Sequence, residues 1–127
     1  MPRSIIHTTE APAAIGPYAQ AVRVGATVYL SGQIPLDPHS GQMVEGDIGA
    51  QARQVFANLE AVARAAGGSL QQAVRIGIFL TDLADFAAVN QVMEAALRPP
   101  YPARATVGVA ALPRGARVEA DAILVLD

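Results

Sequence analysis

The sequence predicts an α+β fold, a six-stranded mixed sheet with two helices on one face. Three observations lead to it. Two long segments, 48–66 and 83–97, carry apolar residues at helical spacing, and six shorter ones read as extended chain. Their order is β-β-β-α-β-α-β-β, with strands grouped at both ends instead of alternating strictly with helices. Finally, 127 residues with 52% hydrophobic content supply one proper core, so residues 1–127 are read as a single domain.

Residues 3–8 form the first expected strand. A second extended stretch, roughly 19–31, is divided by Gly25-Ala26 into Gln20–Val24 and Thr27–Leu30, the arms of a hairpin. Between these strands, Pro12 and Pro17 stiffen a loop that delivers Tyr18. The third strand is expected to stop at Ser31-Gly32, where glycine permits unusual dihedrals or close approach of a ligand to the backbone. Asp37–Gly46 is polar and aperiodic, and reads as a solvated loop.

Asp47 is placed to cap a helix over Ile48–Ala66. Its apolar stripe is Ile48, Ala52, Val55, Leu59, Val62 and Ala66, and Gly67-Gly68 ends it. Val74, Ile76, Ile78 and Leu80 then alternate with Arg75, Gly77 and Phe79 as a strand. Thr81 or Asp82 opens a second helix with the stripe Leu83, Phe86, Val89 or Asn90, Met93 and Leu97, and Pro99-Pro100 stops it. The strand Tyr101–Val109 follows, then a turn at Leu112–Gly115, then a last strand from Arg117 to Leu126. Val118, Ala120, Ala122, Leu124 and Leu126 share one face of that strand; Glu119, Asp121, Ile123 and Val125 share the other. With helices on one side only, Phe79, Ile123 and Val125 leave the second sheet face too apolar for water, so another subunit is expected there.

The inventory of side chains restricts the chemistry. There is no cysteine, which removes thiol nucleophiles, disulfides and thiolate metal sites. All nine basic residues are arginine, so no lysine can form a Schiff base. His7 and His39 stand 32 positions apart without ligand-like spacing, and neither a metal nor another cofactor is expected. A net charge of −2 with dispersed arginines gives no footprint for nucleic acid. No apolar run approaches the length of a membrane span, and no signal pattern opens the chain, so a cytoplasmic protein without membrane contact is expected. Catalysis falls to arginine, carboxylates, hydroxyls, backbone groups and water.

Arg104 is the leading candidate. Alternation sets Arg104, Thr106 and Gly108 opposite the row Ala103, Ala105, Val107 and Val109. A planar, permanently charged guanidinium on a rigid strand suits a bidentate grip on a carboxylate. Glu119 likewise lies away from its strand's apolar row. If the two strands formed a plain hairpin about Arg114, four residues, or about 13 Å, would separate the pair. Three alternatives remain open on this reading: the strands are not hairpin neighbours, the site joins two subunits, or the pair is not a site.

Gly16-Pro17-Tyr18 with Gln20, Ser31-Gly32-Gln33-Ile34-Pro35, Phe79-Leu80-Thr81-Asp82-Leu83, Phe86 with Val89-Asn90, Tyr101-Pro102-Ala103-Arg104, and Leu112-Pro113 with Val118-Glu119 stand in series along nearly the whole chain. Together they resemble the RidA family, the reactive intermediate deaminases. The resemblance implies a chorismate-mutase-like fold with a central last strand, a homotrimer, and sites at the subunit interfaces. It implies that Arg104 binds a substrate carboxylate and Glu119 positions or activates water, with Tyr18, Ser31, Gly32 and Asn90 lining the pocket. The implied substrates are enamine and imine acids such as 2-aminoacrylate and 2-iminopropanoate, hydrolysed to 2-keto acids and ammonia. A non-catalytic trimer that binds keto acids and an RNA-acting translation inhibitor are the alternative readings. The chain departs from the family pattern at Thr106, where many members carry cysteine, and in a short-looking stretch from Asn90 to Arg104.

Overall fold

The computed structural model of the protein describes residues 2–127. Its elements are β1 (Arg3–Ile6), β2 (Ala21–Val24), β3 (Thr27–Gln33), α1 (Ile48–Ala65), β4 (Ala73–Leu80), α2 (Phe86–Ala96), β5 (Ala103–Gly108) and β6 (Val118–Val125). The strands make one sheet in the order β1-β2-β3-β6-β4-β5. Only β4 and β5 run parallel; every other neighbouring pair is antiparallel. The mixed six-stranded sheet with helices on one face agrees with the sequence reading, and β6 lies inside the sheet between β3 and β4.

Helix α1 forms for the reasons its sequence suggests. The Asp47 carboxylate accepts the Ala50 N–H at 2.9 Å, satisfying a donor that the first turn leaves free. All six residues of the expected stripe are buried, and Phe56 and Ala63 join them. Gly67, at φ +93°, ends the helix in a left-handed conformation, while Arg23 reaches from β2 to donate to the Ala66 carbonyl at 3.1 Å. Asn58 is buried in the same helix, and its amide donates to the Leu36 carbonyl at 3.0 Å, fixing the segment after β3.

The core lies between α1, α2 and the sheet face made by Val28 and Leu30 of β3, Ile76, Ile78 and Leu80 of β4, and Val118, Ala120, Ala122 and Leu124 of β6. Register confirms that these share a side: Ile78 pairs with Ala120, Leu80 with Val118, and Leu30 with Ala122.

Several expectations are corrected. The first strand ends at Ile6, short of residue 8. Strand β3 runs on to Gln33 instead of stopping at Ser31-Gly32, and its pairing with β6 slips between Leu30↔Ala122 and Gln33↔Ala120. Three steps on one strand against two on the other make Ser31-Gly32 a bulge, not an end. Asp82 does cap, accepting the Ala84 N–H at 2.9 Å, but it opens a 3-10 turn over Leu83–Asp85, and α2 begins only at Phe86. That tighter turn shifts the phase of the stripe. Val89, Val92, Met93 and Leu97 are buried, whereas Leu83 and Phe86 are 56% and 38% exposed.

The largest correction concerns β5. Ile76 pairs with Arg104 and Ile78 with Thr106, so Arg104, Thr106 and Gly108 point to the helix-covered side. The row Ala103, Ala105 and Val107, taken from sequence as the hydrophobic face, lies with Phe79 on the uncovered side. Alternation alone could not tell the two rows apart, because β5 is an edge strand with few large apolar residues in either. The uncovered face carries Ile5, Val22, Tyr29, Phe79, Val107, Ile123 and Val125, of which Ile5, Tyr29, Val107 and Val125 are exposed.

Leu59 sits fully buried in the middle of α1, so Leu59→Ala is expected to lower unfolding free energy by about 2–5 kcal/mol through lost burial and a residual cavity. Urea denaturation followed by circular dichroism measures this; a loss under about 1 kcal/mol would show that α1 does not anchor the core.

Candidate functional site

The structure places the six site residues suggested by sequence in two separate cavities. The first, about 490 Å³, lies at the β5 edge and is lined by Asn90, Met93, Glu94, Tyr101, Pro102 and Arg104. The Arg104 Nη1 donates to Asn90 Oδ1 at 2.5 Å and also approaches Met93 Sδ at 3.8 Å. The guanidinium carbon stands 5.2 Å from the centre of the Phe86 ring. Arg104 has no carboxylate partner among the described residues, whose two ion pairs are Glu60–Arg64 and Asp85–Arg117.

The second cavity, about 520 Å³, lies at the other side of β6. Tyr18, Ser31, Gly32 and Glu119 line it together with Ile15, Leu36, Pro113 and Arg114. The bulge accounts for Gly32: its φ is ordinary, but a side chain there would run into the Glu119 carboxylate. Glycine leaves room for Glu119, whose carboxylate would have to swing away from any larger residue at position 32. Ser31 donates its hydroxyl proton to the Ala19 carbonyl at 2.6 Å and its N–H to the Gln20 carbonyl at 3.0 Å, stitching the Tyr18 loop to β3. The Tyr18 hydroxyl accepts the Ile15 N–H at 3.2 Å, which leaves its own proton free to donate into the cavity.

Burial pushes the Glu119 carboxyl above the ordinary value, and the charge of nearby Asp121 pushes the same way. Both effects disfavour the ionised form and make the carboxylate a better proton acceptor once it is ionised.

Arg104 and Glu119 do not meet within one chain, and they lie on opposite faces of the sheet. Phe79 of β4 pairs with Val107 on one side and Glu119 on the other, so β4 separates β5 from β6. The plain hairpin is thereby excluded. Two strand spacings plus three residues along β5 put the two positions on the order of 14 Å apart in the sheet plane, before their opposite directions are counted.

Three contributions escaped the sequence reading. Gln20, buried beside Ala11, accepts the Thr8 N–H at 2.7 Å and donates to the carbonyls of Thr8 and Pro12, so it organises the loop that carries Tyr18. Arg114, at φ +58°, enters the Glu119 cavity and donates to the Gly41 carbonyl at 3.1 Å. Phe86, assigned to the core from its spacing, contacts Arg104 instead. A buried glutamine and a left-handed arginine carry no periodic signal; Phe86 carried one that pointed the wrong way.

No group of three His, Cys, Asp or Glu among the described residues is placed to hold a metal ion. No helix among them is long and apolar enough to cross a membrane.

A mixed sheet in this order, with its last strand inside and two helices on one face, defines a chorismate-mutase-like α+β protein. The family model described as Endoribonuclease L-PSP matches residues 8–126. Protein DfrA of Myxococcus xanthus is 56% identical over 127 residues, covering 98% of this chain and 97% of that protein. The 2-iminobutanoate/2-iminopropanoate deaminase of Dermatophagoides farinae is 48% identical over 126 residues, covering 99% and 98%. Among solved structures, RidA from the Antarctic bacterium Psychrobacter sp. PAMC 21119 matches with a TM-score of 0.94 at 54% identity, covering 97% of this chain and 99% of that one. The chain belongs to the RidA family.

The raised Glu119 sets a stability test. Its native carboxyl binds a proton more tightly than the unfolded one, whose ordinary value is 4.5. The native state therefore holds more protons between that value and the raised one, and stability falls as pH rises through this window. Glu119→Gln, which cannot ionise, is expected to remove that fall and to melt higher than the parent at pH 7. Melting curves from pH 4 to 8 check it, and parallel curves for the two proteins would contradict the raised carboxyl.

Proposed function

We propose that this protein hydrolyses reactive 2-imino acids and their enamine tautomers to 2-keto acids and ammonia, at sites completed between subunits of a homotrimer. One observation carries the reading. The chain holds two complementary half-sites, an unneutralised arginine fork and a half-buried carboxylate above a glycine, in cavities that one copy cannot join. The apolar uncovered sheet face supports a second copy as the occupant that brings them together. The 2-iminobutanoate/2-iminopropanoate deaminase name borne by a relative 48% identical to this chain supports the same chemistry.

In this reading the carboxylate of 2-iminopropanoate lies on the free edge of the Arg104 fork, with Asn90 keeping the guanidinium in place. The imine carbon is already electrophilic, so neither a protein nucleophile nor a metal is required for attack. Glu119 accepts a proton from water as its oxygen adds to that carbon. It passes that proton to the nitrogen, giving a carbinolamine, then takes the hydroxyl proton and delivers it to the same nitrogen as the carbon–nitrogen bond breaks and the carbonyl forms. Water adds across C=N, ammonia leaves, and the glutamate ends as it began. Tyr18 offers a hydroxyl proton toward substrate or water, Ser31 holds the Tyr18 loop, and Gly32 gives the carboxylate room. The substrates are the unstable products that pyridoxal-phosphate enzymes release in the cytoplasm.

A carboxylate-binding trimer without turnover would need the fork but not a carboxylate of raised proton affinity. The family model's description, Endoribonuclease L-PSP, suggests RNA as substrate, but a net charge of −2 and the absence of lysine argue against it.

A coupled assay that generates the imine from threonine or serine with a dehydratase, followed by keto-acid appearance, tests the function. Glu119→Gln is expected to lose about 10²-fold or more in turnover while keto-acid binding is retained or tightened. Equal loss of binding and trimer would make Glu119 a structural partner instead. Arg104→Lys keeps the charge but not the fork, and is expected to impair both binding and turnover severely; near-normal activity would place the carboxylate clamp elsewhere. The parent rate is expected to rise with pH through the raised Glu119 value, because the base works only when ionised. Sedimentation is expected to give three times the chain mass, and a monomer at micromolar concentration would overturn the shared site.

A further inference from the structure

Arg104 is held in an unusual way for a strand arginine. Its three contacts come from one face of α2: the Phe86 ring at 5.2 Å, Asn90 Oδ1 at 2.5 Å and Met93 Sδ at 3.8 Å. Positions 86, 90 and 93 recur at helical spacing, so one rigid element presents all three. All three are uncharged. Glu94, on the neighbouring position and lining the same cavity, forms no ion pair with the fork. Both polar contacts fall on Nη1, and the Arg104 hydrogen bonds include none from Nη2 or Nε. The guanidinium is thus fixed in place with its charge intact.

Phe86 stands out within this group. It opens α2, is 38% exposed, and lies outside the buried core cluster that Val89, Val92 and Met93 join. A large aromatic at that position contributes little to the core, yet its face sits against a cation. A π-face attracts a guanidinium without neutralising it or occupying its N–H donors, which a carboxylate partner would do.

We propose that Phe86 is a positioning residue for substrate binding, an aromatic platform that orients the Arg104 fork and leaves its charge and free edge for the substrate carboxylate. The inference rests on the reading of Arg104 as the carboxylate clamp. It adds that affinity for the anion depends on an aromatic ring at position 86, not on bulk there. Phe86→Leu keeps an apolar side chain but removes the π-face, and Phe86→Tyr restores it.

The test measures binding of 2-oxobutanoate by calorimetry and imine turnover in the coupled assay, on the parent, Phe86→Leu and Phe86→Tyr, with melting temperature and sedimentation as controls. Phe86→Leu is expected to weaken 2-oxobutanoate binding about five- to tenfold, the range of a partly shielded cation–π contact. The loss should appear in KM more than in kcat, with an unchanged pH profile because Glu119 is untouched. Phe86→Tyr is expected to bind within twofold of the parent. If Phe86→Leu binds within twofold of the parent, or if folded, trimeric Phe86→Tyr stays as weak as Phe86→Leu, the platform role is overturned. Should Phe86→Leu fail to fold, the Phe86→Tyr comparison with Phe86→Met decides by the same criterion. Parent protein that binds 2-oxobutanoate without imine turnover overturns the deaminase reading and leaves the platform to be judged on binding alone. Parent protein that binds no keto acid overturns both.

Discussion

The position of β6 governs the rest of the molecule. This strand comes last in the chain but lies between β3 and β4, and its inward row is almost completely buried. Without it the β1–β2–β3 meander and the parallel β4–β5 pair would share no hydrogen-bonded edge. With it in place, α1 has a continuous apolar floor on which to pack. The same insertion places two charged side chains. It directs Glu119 outward over the bulge at Gly32, and it sets β4 between that carboxylate and the strand that carries Arg104.

The surroundings of Glu119 and of Arg104 are built by opposite means. Around Glu119 the backbone has been cleared: a bulge and a glycine make room, and burial raises the proton affinity of the carboxyl. Around Arg104 side chains have been added, three from one helix, none of them acidic. An anion clamp loses function when neutralised by its own protein, and a base loses it when a nearby cation holds its proton affinity down. Within the chain, β4 keeps the two groups apart.

Local features of the fold were legible in the sequence, and non-local ones were not. Asp47, the stripe from Ile48 to Ala66 and Gly67 define α1 almost to the residue, since cap, period and stop all act within a few positions. The Gly25 hairpin is similarly local. Strand order is different, because nothing in 118–125 says that β3 and β4 will flank it. The resemblance to a known family supplied that. The facing of β5 was misread for a related reason: Ala103, Ala105 and Val107 are apolar enough to suggest a core row, but the core received only the side of β5 that its register with Ile76 and Ile78 dictates. The motifs singled out Arg104, Glu119 and the other candidate residues. Their division between two cavities was not legible, because it depends on which strands are neighbours.

The late place of β6 in the chain also bears on how the protein comes into being. A ribosome completes five strands and both helices before it reaches the strand that joins them. Until β6 emerges, the facing β3 and β4 edges have no partner, and α1 has only part of its apolar floor. The complete sheet therefore cannot assemble before the last strand is made. The joined sheet forms only once β6 has cleared the exit tunnel, and a chain broken off before Val118 would leave the β3 and β4 edges open to pairing with other chains.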